Sequence, residues 1–123
     1  MKQCLVLLVC FLLTACYQNT RDCKDYRTGT FKWEQESGGK LLTSTFIRTE
    51  TLQIETFENV VDTSRVEWIN DCEWRAIPIN PKSNADSRAY LFKIIQTTDD
   101  GYSFEFTQSG RDEVYKATVV KID

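Results

Sequence analysis

Histidine is absent from the 123 residues. That absence excludes imidazole metal ligands and every nucleophile–histidine pairing of the Ser-His or Cys-His kind. Long apolar runs are scarce too: the run at residues 4–13 is only about half of the roughly 20 residues that a membrane-crossing helix needs. No excess of one charge is present either. The 15 Lys and Arg and 18 Asp and Glu give a net charge of -3, and the two signs are interspersed. This argues against the basic face or stripe of a nucleic-acid binder. Beyond residue 25 almost no stretch shows helical spacing of its apolar side chains.

What is present begins with Met1-Lys2-Gln3, a short positive region, followed by the apolar run at residues 4–13 and then polar residues 17–21. That order is the layout of an export signal. The run ends in Leu13-Thr14-Ala15-Cys16, which resembles the bacterial lipobox, the tetrapeptide cleaved before a cysteine carrying diacylglycerol. The resemblance implies a signal peptide at residues 1–15, lipidation of Cys16, a tether at residues 16–27 and a single β domain at residues 28–123. Two or three acyl chains anchor stably where one does so only marginally. The covalent lipid is the only prosthetic group expected; no metal or other cofactor is.

Of the five cysteines, Cys4 and Cys10 leave with the signal and Cys16 carries lipid. Cys23 and Cys72 then remain in an oxidising compartment and are expected to pair. Their wide separation has none of the C-x-x-C character of a redox or metal pair.

From residue 28 onward the side chains alternate with period two and are rich in β-branched and aromatic types, so the domain reads all-β. Eight antiparallel strands are expected, at about residues 28–36, 40–48, 51–58, 63–69, 72–76, 88–97, 102–106 and 112–122. Ser37-Gly38-Gly39 and Asp99-Asp100-Gly101 are tight turns. Residues 78–87, with Asn80-Pro81, form the longest loop. On the third strand Leu52 and Ile54 are expected inward, with Gln53 and Glu55 outward. Eight strands joined mostly by short turns favour an up-and-down meander curled into a small barrel, because closure removes exposed edges. An open antiparallel sheet or sandwich is the alternative.

Gly29-Thr30-Phe31-Lys32-Trp33 is similar to the Gly-x-Trp opening of lipocalins. The tryptophan falls two places later than in that pattern, and no aligned arginine on the last strand covers it. A second resemblance covers most of the chain. Cys16-Tyr17, Arg21-Asp22-Cys23-Lys24, Thr28-Gly29-Thr30-Phe31, Ile47-Arg48-Thr49, Trp68-Ile69-Asn70-Asp71-Cys72-Glu73 and Val120-Lys121-Ile122-Asp123 together look like a family of short flavobacterial (Bacteroidetes) lipoproteins of unknown function. Members often carry the label DNA topoisomerase IV. That enzyme needs a nucleotide site, a DNA-gripping basic surface and a nucleophilic tyrosine beside acidic metal ligands, none of which fits here. The resemblance therefore implies an exported β domain and brings no catalytic residues.

Trp33, Trp68, Trp74, Tyr102, Phe104 and Phe106 are the candidate ligand-lining residues, since small-molecule pockets are mostly apolar. Dense packing in so small a barrel favours a filled core instead. Glu34 with Glu36, and Asp99 with Asp100, lack the opposed placement of glycosidase carboxyls and the oxygen count of a calcium site. The loop at residues 78–87 reads as a connector rather than a lid. The expected function is a non-catalytic, membrane-anchored envelope module binding a small apolar ligand or an envelope protein. The alternative is an accessory subunit of an envelope assembly. Because Tyr17 is not the aspartate that retains some lipoproteins at the inner membrane, the expected address is the outer membrane, facing the periplasm.

Overall fold

The computed structural model describes residues 21–123; the expected signal segment and Cys16 lie outside them. The described residues form β1 (Gly29–Ser37), β2 (Lys40–Arg48), β3 (Leu52–Phe57), β4 (Val60–Asn70), β5 (Glu73–Pro78), β6 (Tyr90–Thr97), β7 (Gly101–Gln108) and β8 (Tyr115–Lys121). Each strand pairs antiparallel with the next, and β8 returns to β1, closing the sheet into a meander barrel. Closure runs through Phe31 opposite Lys121 and Trp33 opposite Val119. The open sheet or sandwich is thereby excluded.

The hairpins explain the register. Gly38 and Gly39 have φ of 58° and 78°, the left-handed pair that a two-residue type I′ turn demands. Glu58 and Asn59, at 47° and 66°, make a second such turn without any glycine. For that reason β4 starts at Val60, earlier than the alternation suggests. At Gly101 a Cβ would lie 2.0 Å from the Val119 carbonyl oxygen, so only glycine lets β7 and β8 approach there.

Two features depart from the sequence expectation. First, part of the expected tether belongs to the folded body. Cys23–Tyr26 forms a single 3-10 turn that packs across one end of the barrel. Second, β3 faces the other way. Phe46 opposes Glu55 and Arg48 opposes Gln53, so Gln53 and Glu55 point inward and Leu52 and Ile54 outward. Once the Gly38-Gly39 hairpin pairs Phe31 with Phe46, the side-chain period of two leaves no other choice, whatever the polarity of β3.

The core is filled only at the end covered by the 3-10 turn. Phe31, Trp74, Ile94, Tyr102 and Val119 are buried there with Cys23 and Tyr26. That end also carries the β2–β3, β4–β5 and β6–β7 turns and the last residues of the chain. The opposite end carries the β3–β4 turn and the long β5–β6 connection.

Candidate functional site

The interior contains a cavity of about 660 Å³ that runs from Arg48 and Tyr102 to the mouth formed by Val60, Asp62, Ile79 and Pro81. Its floor is built around Arg48, which is 1% exposed on the last residue of β2. Arg48 Nε donates to the Arg27 carbonyl at 3.0 Å, and Nη2 donates to the Tyr26 carbonyl at 2.6 Å and to the Tyr102 hydroxyl at 3.1 Å. Nη1 reaches Gln53 Oε1 at 3.4 Å. The guanidinium carbon lies 4.3 Å from the Trp74 ring centroid and 4.7 Å from that of Phe31. No ion pair involves Arg48 among the described residues. Its charge is balanced by carbonyl dipoles and ring faces, which suits the planar, weakly hydrated guanidinium.

The floor is thus sealed from below. Cys23 and Cys72 form a disulfide with Cα atoms 5.2 Å apart, fastening the 3-10 turn to the β4–β5 turn. The Tyr26 hydroxyl donates to the Thr98 carbonyl at 2.7 Å, and the Asp22 amide donates to Thr97 Oγ1 at 2.9 Å. Burial pushes the Tyr102 hydroxyl above the ordinary phenolic range, and the adjacent Arg48 charge pulls it part of the way back. Phe31, two residues after Gly29, is fully buried, and the Arg48 guanidinium from β2 covers its ring.

Above the floor the two walls differ. From β5, β6 and β7, Trp74, Phe92, Phe104 and Phe106 form a continuous aromatic surface. Trp74 and Phe92 stack at 5.1 Å, and Phe92 and Phe106 at 5.8 Å. Trp33 and Ala117 complete this side. From β2, β3 and β4 come Ser44, Gln53, Glu55, Asp62 and Ser64, with Glu55 directly opposite Asp62 in the pairing. Burial raises the Glu55 carboxyl above the usual range and the Asp62 charge raises it further, while the nearby Ser44 hydroxyl lowers it. Ser44 is 4% exposed; its Oγ lies beside the Glu55 carboxyl without well-formed hydrogen-bond geometry, and Trp74 Nε1 has no hydrogen-bond partner.

Five of the six aromatic candidates, Trp33, Trp74, Tyr102, Phe104 and Phe106, line this hollow, so the filled-core expectation holds only for the sealed end. Trp68 is the exception. It packs 5.1 Å from Trp74 with Arg27 over its ring at 4.5 Å, because it lies at the closed-end extreme of β4 beside the 3-10 turn. Sequence reasoning missed Arg48, Phe92 and the whole polar wall. Counting residues outward from the Gly38-Gly39 turn was the signal that could have found Glu55. Glu34 stands on the outer barrel surface, Asp99 and Asp100 lie in the β6–β7 turn, and among the described residues no group of acidic or cysteine side chains is arranged to hold a metal ion. No protein-family model, curated protein or solved structure matches the chain.

Proposed function

We propose that this chain is a lipid-anchored binding module of the bacterial envelope that holds a small, largely apolar ligand inside its barrel. The observation that carries the reading is the open, aromatic-lined cavity of about 660 Å³, a volume within the roughly 300–1,000 Å³ of small-molecule sites. An eight-stranded barrel can hold one small ligand.

The expected anchor fits this reading. A lipid on Cys16 is seven residues from Cys23 and reaches at most about 24 Å from it. Cys23 is fastened at the sealed end, so the tether joins the barrel opposite its mouth. A ligand then enters from the side remote from the attachment point.

Trp33 and Trp74 are built-in reporters because both line the cavity. Titrating apolar ligands should change tryptophan fluorescence with one-to-one saturation. Ala117 lines the cavity and pairs with Phe104, so Ala117→Phe should weaken binding at least about tenfold, a loss of roughly 1.4 kcal/mol, with circular dichroism unchanged. Flat fluorescence across a broad lipid and hydrophobe panel would sink the reading. The accessory-subunit alternative draws on a shallow outer depression lined by Ile69, Leu91 and Val114. A stoichiometric protein recovered from detergent-solubilised envelope, lost on Leu91→Glu, would favour it.

A further inference from the structure

We propose that the cavity is selective for a ligand carrying a protonated amine on its apolar body, with Glu55 and Asp62 meeting the charge and Ser44 accepting an ammonium hydrogen. This inference rests on the binding-module reading and names the chemistry of its ligand.

Three observations lead to it. Glu55 and Asp62 face each other across β3 and β4 and both line the hollow. Like charges directly opposite on a sheet repel, and among the described residues no ion pair involves either carboxylate. Ser44, paired with Phe57 on the neighbouring strand, has a buried hydroxyl beside the Glu55 carboxyl that lacks well-formed hydrogen-bond geometry. An ammonium placed between Ser44 and Glu55 would donate one N–H to the hydroxyl oxygen and another to the carboxylate. Trp33 pairs with Ser44, and Phe46 pairs with Glu55. Both rings line the cavity, and aromatic rings favour a nearby cation over an anion.

The competing charge does not reverse the preference. Arg48 has its Nε and Nη2 donors on carbonyl and hydroxyl oxygens and both ring-facing sides covered, so it offers no free fork to a carboxylate. Lys82 and Asp86 both line the cavity from the exposed β5–β6 connection and together add no net charge. Glu55 and Asp62 therefore leave the polar wall net acidic between the floor and the mouth.

The test compares three ligands of one chain length, decylamine, decanol and decanoate, at neutral pH by isothermal titration calorimetry on the protein with its disulfide intact. Decylamine should bind at least about tenfold tighter than decanol, with decanoate weakest. In the double variant Glu55→Gln, Asp62→Asn, the preference for decylamine over decanol should fall to about one, while circular dichroism reports an intact barrel. Decanoate binding as tightly as decylamine, or a double variant that keeps the amine preference, overturns the proposal. Equal binding of all three overturns the amine preference but leaves the apolar module standing. Binding of none overturns both.

Discussion

Glu55 concentrates the conflict between local sequence and global fold. Its carboxyl sits inside a barrel, where burial and Asp62 raise its protonation tendency above the ordinary value. A group whose folded-state pKa is raised stabilises the fold below its unfolded value, about 4.3 for Glu, and that contribution is lost as pH rises through the folded value. Glu55→Gln mimics the protonated form at every pH. The variant should therefore be more stable than the parent at pH 7.5, and the difference should shrink toward zero near pH 4. Urea unfolding across that range measures it, and a pH-independent difference would show that Glu55 is not desolvated. The same residue whose burial disfavours its charge is the one a cationic ligand would use, as at many binding sites. Arg48 makes the opposite bargain possible at the floor, because every strong donor it directs at protein finds an oxygen.

At the scale of elements, the 3-10 turn Cys23–Tyr26 is a plug that four residues cannot stabilise alone. It is held by the disulfide to Cys72, by Arg48 bonding the Tyr26 and Arg27 carbonyls, and by the Tyr26 hydroxyl on Thr98. Replacing both cysteines with alanine should lower unfolding free energy by about 4 kcal/mol in the chain-entropy picture of a loop this long. Arg48→Met should lower it by about 3 kcal/mol, since two buried carbonyls lose their partner. Arg48→Lys should not restore it, because an ammonium cannot span both carbonyls and stack on two rings. Guanidinium unfolding monitored by circular dichroism checks all three variants. The plug was hidden from sequence reasoning because Cys23-Lys24-Asp25-Tyr26 has no helical pattern and owes its shape to tertiary ties. The strands were far more legible. Alternation such as Tyr102, Phe104 and Phe106 against Ser103 and Glu105 is a local property, and β2 and β7 fall close to where it puts them. Start points slipped where a turn lacked glycine, as at Glu58-Asn59.

For the whole molecule, closure through β1 and β8 converts eight marginal strands into one body with a sealed and an open end. A bound ligand adds to that stability by mass action. At a hundred times its Kd, an apolar ligand should contribute about 2.7 kcal/mol and raise Tm measurably. The rise should vanish in Ala117→Phe, whose ring occupies the hollow; an equal rise in that variant would place binding on the outer surface. The sequence by itself determined the all-β class, the succession of strands, the Gly38-Gly39 hairpin and the pairing of Cys23 with Cys72, because alternation, turn chemistry and cysteine count are properties of neighbouring or enumerable residues. Only the tertiary structure decided that Gln53 and Glu55 face inward, that Arg48 caps the floor, and that the barrel is hollow above it. Period-two alternation states that two faces differ but not which is inside, and interior volume depends on how all eight strands stagger before the last meets the first.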